Sequence, residues 1–246
     1  MRNTGGLSFP EEFAADSFTY ADRASVDARA DFISKTYMHL AGAILAFVLL
    51  EAVILNTPPL MNALLSVLSM HQLGWLIFMG GFMLVSYVAN SWAQSATSVP
   101  MQYAGLGLYV TAEAVIFAPL LYIASQFGDN VIPIAGILTL TVFSGLTVTV
   151  FLTRKNFSFM GPALSIAGFA SLGVILCSAI FGFNLGILFV GAMIVLASGY
   201  ILYYTSNVLH EYRIGQHVAA SLALFASVAL LFWWMVQLVM SLQSRD

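Results

Sequence analysis

Seven long apolar stretches constrain the fold of this chain more than any other feature of its sequence. Each has about the ~20 residues that an α-helix needs to cross ~30 Å of hydrocarbon. They are continuous rather than alternating, and about twice as long as a barrel strand, so helices are the spanning form. The predicted spans, first to seventh, are Thr36–Leu55, Leu73–Ser91, Met101–Ala124, Val131–Leu152, Phe159–Phe181, Leu185–Ser206 and Val218–Met240. The sequence therefore predicts an all-α membrane protein, folded as a seven-transmembrane-helix bundle in a lipid bilayer.

The scarcity of charge narrows the classes of function. Only 8% of the 246 residues are charged, against about 25% in an ordinary soluble domain. A soluble globular enzyme, a disordered chain and a nucleic-acid binder are therefore excluded. The spans contain no catalytic constellation and no metal-ligand spacing such as HExxH. We accordingly expect no enzymatic activity, no cofactor and no metal site.

The charges that are present divide the chain into two parts. Ten of the nineteen charged residues lie in residues 1–35, which contain no apolar run of the kind found in a signal peptide. We interpret this segment as a polar cytoplasmic tail, partly disordered, that turns helical from about Ser25. Residues 36–242 form the predicted membrane domain.

The basic residues predict the orientation. With the N-terminus in the cytoplasm, seven of the eight lie on the cytoplasmic side, and only Arg245 lies outside. Cytoplasmic loops of membrane proteins carry this excess of Lys and Arg, so the C-terminus is predicted to be outside. Because the chain shows neither a cleavable signal nor a retrieval signal in Gln243–Asp246, we expect a bacterial cell (inner) membrane.

Two acidic residues within the spans are candidates for function, because burying a charge there costs about 2.5–3.5 kcal/mol or more. Glu113 lies at the middle of the third span, with Tyr109 one turn before it. It is either a proton- or cation-binding group or a neutral acid that serves only packing. Glu51 lies near the outer end of the first span, where we expect an interfacial carboxylate that reaches water.

Two further patterns predict where other side chains lie. The tryptophans fall towards the ends of spans, where indole rings prefer the membrane interface; they are Trp75, Trp92, Trp233 and Trp234. Gly105 and Gly107 in the third span fit the small residues that let membrane helices approach closely.

Several motifs give the chain a family resemblance. The turn after the fourth span reads Thr153, Arg154, Lys155, Asn156 and Phe157. With the Phe-Ser-Phe-Met-Gly that ends it, this turn resembles the "T-K-[KR]-D-F-S-[FL]-L-G" turn of the Bax inhibitor-1 family, with Asn156 in place of aspartate. Phe32–Leu40 is similar to that family's entry to the first span, and Ile201–Thr205 to its "I-L-Y-D-T". The resemblance covers about residues 32–242.

The resemblance implies a seven-helix bundle whose last helix is buried at the centre. It implies proteins that act as pH-sensitive calcium leaks or restrain cell death, some of which bind a membrane-anchored AAA protease. It also implies a proton-sensing pair of aspartates, at positions that carry Tyr204 and Phe225 here. Tyrosine titrates near 10 and phenylalanine does not titrate, so this pair cannot sense physiological pH.

Two functions stay open on the sequence. One is a leak or transporter for a small cation, calcium or protons, with lost or altered pH gating. Glu113, Tyr109, Tyr204 and Glu51 are then the candidate residues of the ion path. The other is a non-conducting regulator that binds a membrane protease or stress and cell-death machinery through the N-terminal tail. A cavity that reaches Glu113 from the position of Tyr204 would favour the first.

Overall fold

The computed structural model of the chain describes residues 19–95 and 98–244 and builds them from α-helices. The helices are α1 (Val26–Leu55), α2 (Pro58–Leu68), α3 (His71–Ala93), α4 (Val99–Phe127), α5 (Val131–Thr153), α6 (Gly161–Phe181), α7 (Gly186–His210) and α8 (His217–Gln243). A 3₁₀ turn, Ser158–Met160, precedes α6. Within the described residues, seven of these helices are long and apolar enough to cross a membrane, and α2 is not. The predicted seven-helix bundle is therefore confirmed.

The predicted ends of the spans hold to within three residues, with two exceptions. The first span begins at Val26 rather than Thr36, because the Ser25 side chain caps the helix by accepting a hydrogen bond from the Ala28 N–H at 3.3 Å. The expected onset of helix near Ser25 is thus correct. The sixth span runs on to His210 instead of ending at Ser206, which shortens the turn that follows.

Helix α2 is absent from the sequence-based prediction, which placed a loop over residues 56–72. Pro58 and Pro59 indicated a break in the chain, but they stand in the first turn of α2. Proline suits that position because its missing N–H would have no helical partner there. At 11 residues, α2 is about 16 Å long, too short to span, and it packs against α1, α3 and α4.

Helix α8 forms the centre of the bundle, as the family resemblance implied. In its most apolar stretch 61% of the residues are buried, against 6% for α6. It packs against α1, α4, α5 and α7, whereas α6 stands at the periphery. The side chains that α8 carries are therefore the ones that other helices meet in the interior.

The connections between the helices alternate between the two ends of the bundle. The start of α1 and the turns before α4, α6 and α8 lie at one end, which we call the basic end because it carries Arg29, Lys35, Arg154 and Arg213. The short loops around Gly128 and Gly182 lie at the opposite end. The loop between α6 and α7 spans residues 182–185, close to the three-residue hairpin that the sequence predicted.

Candidate functional site

Glu113 lies inside the bundle, in the middle of α4. Its side chain is 6% exposed, and Tyr109 lies one helical turn earlier, on the same face of the helix. The hydrogen bond expected between these two side chains stays a prediction.

A cavity of about 990 Å³ reaches this carboxyl group. Its walls come from α3, α4, α6, α7 and α8, and the loop that joins α6 to α7 contributes as well. Asn184 and Gln237 line it near the end opposite the basic end, and Glu113 and Tyr204 line it at depth. The position of Tyr204 thus faces open space that extends to Glu113, the arrangement that the sequence analysis associated with a permeation path.

Aromatic side chains occupy the two positions where the resemblance places aspartates. Tyr204 is stacked on Tyr200, with ring centroids 6.2 Å apart and planes at 15°. Phe225 is 2% exposed, and its ring lies 6.2 Å from that of Tyr109 and 6.0 Å from that of Phe47. Around these two positions the bundle therefore packs through aromatic contacts in place of a pair of carboxyl groups.

Glu51 is not an interfacial carboxylate, and that expectation is wrong. Its side chain is 4% exposed, and neither carboxyl oxygen has a hydrogen-bond partner. It shares the buried face of α1 with Phe47 and Ile54, because positions four and three residues apart lie on one side of a helix. Glu51 does not line the cavity of Glu113, so the two acids are separate sites.

The tryptophans of α8 also differ from their predicted place at the interface. Trp234 is 5% exposed, and Trp233 packs edge-on against Phe117 at 5.0 Å. Together with Trp75 of α3, both line the cavity. A tryptophan towards the end of a span can lie at the membrane interface or line an internal cavity. The position in the sequence does not distinguish the two.

The turn motif lies at the basic end and holds α5, α6 and α7 together. Arg154 ends α5 in a left-handed backbone conformation with φ 51°. The side-chain oxygen of Asn156 accepts a hydrogen bond from the Ser158 N–H at 2.8 Å, and the Phe157 N–H donates to the Ser206 hydroxyl at 2.8 Å. An aspartate could accept the same bond, but the Asn156 amide also donates to the Glu211 carboxylate at 3.3 Å, which an ionised aspartate cannot do.

Residues 19–24 form a short segment, here named the N-terminal strap, that sequence reasoning placed only within the tail. The strap lies against the turn between α7 and α8. Ala21 N–H donates to the Tyr212 carbonyl at 2.9 Å, and Ile214 N–H donates to the Thr19 carbonyl at 3.0 Å. Burial raises the pKa of the Tyr212 hydroxyl. Two backbone bonds thus attach the strap beneath the helices that carry Tyr204 and Phe225.

Two arginines hold the strap in place. The Arg29 guanidinium donates to the Ala21 carbonyl at 2.7 Å and to the Asp22 carbonyl at 2.8 Å. The Arg213 guanidinium lies 5.4 Å from the centre of the Tyr20 ring, within the range of a cation–π contact. Residues 1–18 of the predicted tail, and Arg245 at the other terminus, lie outside the described residues.

Comparison with known proteins points to one family. The profile of the family described as "Inhibitor of apoptosis-promoting Bax1" matches residues 29–245. An uncharacterized protein of Pseudomonas aeruginosa is 30% identical over 119 residues, which cover 48% of this chain and 53% of that protein. Bax inhibitor 1 of Schizosaccharomyces pombe is 29% identical over 154 residues, 61% of this chain and 56% of that protein. The matched segments span little more than half the length of these curated relatives.

Proposed function

Since this multi-pass membrane protein belongs to the Bax inhibitor-1 family, we propose that it is a cation leak or transporter in which Glu113 binds the permeating ion. The ions that we propose are protons or calcium, and the membrane is the bacterial cell membrane. The single observation that carries this function is the cavity of about 990 Å³ that extends to Glu113. A buried acid without such access could serve only packing.

The two positions where the family resemblance places aspartates bear on how the proposed leak is gated. Two carboxyl groups at close range titrate as a coupled pair and can gate a path by pH. Tyr204 and Phe225 stand at these positions, and neither provides that response near neutral pH. We therefore propose a path in which Glu113 binds the ion transiently as it crosses, while the aspartate pair of the family takes no part in gating.

Substituting Glu113 with glutamine tests this function. In liposomes that contain the purified protein, we expect Glu113→Gln to lower calcium or proton flux at least about tenfold. A tenfold change corresponds to about 1.4 kcal/mol, less than the ~1.5–3 kcal/mol of a typical hydrogen bond to a charged group. Entrapped dyes that report calcium and pH measure the two fluxes separately.

Glu51→Gln provides a matched control for this experiment. It makes the same chemical change at a second buried acid that lies outside the cavity, so flux should stay at the level of the unmodified protein. Unmodified protein that passes neither ion faster than empty liposomes would overturn the proposed leak. Equal loss of flux in both variants would also contradict the role of Glu113.

The N-terminal strap favours a second function, that of a regulator of a membrane-anchored protease or of stress and cell-death machinery. The strap fixes where the tail leaves the bundle, directly under the turn between α7 and α8. A partner that binds the tail would therefore act next to the helices that line the cavity. This function requires no ion to cross the membrane.

Truncation of the tail before the strap tests this second function. We expect a chain that lacks residues 1–18 to lose its effect on substrate cleavage by a co-reconstituted membrane-anchored AAA protease. Because the strap and the Arg29 contacts remain, its thermal midpoint should match that of the full chain. Full regulation by the truncated chain would exclude the tail as the point of contact.

A further inference from the structure

The walls of the cavity are rich in aromatic rings and contain one acidic side chain. Nine of the lining side chains are aromatic, among them Trp75, Phe117, Tyr200 and Trp233. Among the described residues that line the cavity, Glu113 is the only acidic one, and none is Lys, Arg or His. An acidic side chain surrounded by aromatic rings favours a ligand that combines a positive charge with an apolar body.

This composition does not suit the stable binding of a metal ion. Calcium takes six to eight oxygen ligands, several of them carboxylates, whereas Glu113 is the only carboxylate among the described residues that line the cavity. The described part of the chain also holds no group of three or more His, Cys, Asp or Glu side chains placed for a metal. A metal ion could cross such a site but would not remain in it.

The same composition suits an organic cation. Aromatic faces attract ammonium and similar cations through the ring quadrupole, most strongly where water is excluded. The stacked pair Tyr200 and Tyr204 and the indole of Trp233 provide such surfaces in the cavity that contains Glu113. A cavity of about 990 Å³ lies at the upper end of the ~300–1,000 Å³ of small-molecule sites, far above the need of a bare ion.

We propose that this cavity binds a monovalent organic cation that carries aromatic or alkyl groups, with Glu113 as its counter-ion. The ligand class is defined by one positive charge and an apolar body. The site shares Glu113 with the proposed leak, but it requires only binding and not passage of an ion through the bilayer.

Two tetraphenyl ions of nearly the same size and opposite charge allow a direct test. The full chain, purified in nanodiscs, is titrated with tetraphenylphosphonium and with tetraphenylborate, and binding is followed by equilibrium dialysis. We expect saturable binding of one phosphonium ion per chain and no saturable binding of the borate. Similar binding of both ions would overturn the proposal, since it would mean that apolar partition alone is responsible.

Substitutions inside and outside the cavity then test whether the phosphonium ion binds there. Glu113→Gln should weaken phosphonium binding at least tenfold, and Glu51→Gln, the matched change outside the cavity, should leave it unaltered. Trp233→Leu keeps an apolar side chain but removes an aromatic face, and it should also weaken binding. Unchanged affinity in both Glu113→Gln and Trp233→Leu would overturn the assignment.

The binding test and the flux test can fail independently of each other. Calcium or proton flux in a protein that does not bind tetraphenylphosphonium would overturn the organic-cation site alone. Saturable phosphonium binding by a protein that passes neither calcium nor protons would overturn the leak and leave the binding site standing.

Discussion

Replacing Phe225 with aspartate, the residue that the family resemblance places there, is expected to lower the free energy of unfolding by more than about 4 kcal/mol. Phe225 is 2% exposed and its ring contacts those of Phe47 and Tyr109. Removing a buried phenyl ring costs about 3–5 kcal/mol. A carboxyl group left there without an assigned partner adds a desolvation penalty of about 1–3 kcal/mol. Denaturant titration in detergent, followed by tryptophan fluorescence, measures the change.

Phe225→Leu is the matched control at this position. It retains an apolar side chain of similar size, so we expect a loss of no more than about 1.5 kcal/mol. If Phe225→Asp unfolds at the same denaturant concentration as the unmodified protein, the aromatic packing around this position contributes little. The site would then still accommodate the carboxyl group that it lacks.

This expectation bears on how the chain departs from its family. The sequence shows that both aspartates are absent. It does not show that Tyr204 and Phe225 pack against other aromatic rings at these positions. Tyr109 links the two regions, because its ring packs against Phe225 and its side chain lines the same cavity as Glu113. The aromatic contacts therefore extend to the cavity that contains Glu113.

The fold could be predicted largely because a membrane imposes a length on each helix. An apolar run of about 20 residues has few alternatives to a spanning helix, so the seven spans are correct. Helix α2 was not predicted, because it is shorter than a spanning helix and begins with two prolines. Its contacts with α1, α3 and α4 come from packing, which no local pattern encodes.

The residues of the site could be predicted only in part, because depth in the membrane does not determine the direction of a side chain. The mid-membrane position of Glu113 required a buried or cavity-facing acid, and the cavity is present. Glu51 lies nearer the end of its span, where depth alone predicts contact with water, yet it faces the interior. In the same way, the position of Trp233 towards the end of its span predicted the membrane interface, whereas its side chain lines the cavity.

Helix α4 carries both Tyr109 and Glu113, and α3, which packs against α4, lines the same cavity. The two helices approach closely at Gly105. A Cβ atom built on this glycine would lie 2.5 Å from the Ala89 carbonyl oxygen and 2.5 Å from the Ala93 nitrogen. Both are backbone atoms, which cannot move aside as a flexible side chain can. The close approach predicted for Gly105 is therefore real.

Gly105→Val should consequently lower the free energy of unfolding by about 3 kcal/mol, at the upper end of the usual range for overpacking. The added side chain forces α3 away from α4 at this point, and α3 carries three of the residues that line the cavity, Trp75, Met79 and Phe82. We therefore expect cation binding or flux through the cavity to fall together with stability. Denaturant titration and the tetraphenylphosphonium assay measure the two effects on the same preparation.

Gly107→Val separates this contact from the general effect of valine in a helix. Gly107 lies two residues further along α4, and a Cβ atom there would meet nothing within 4 Å. The two variants share their effect on helix propensity, so the difference in stability between them reports the α3–α4 contact alone. Equal stability of the two variants would mean that the helices can separate at Gly105 without cost. The cavity would then not depend on the close approach of α3 to α4 at this glycine.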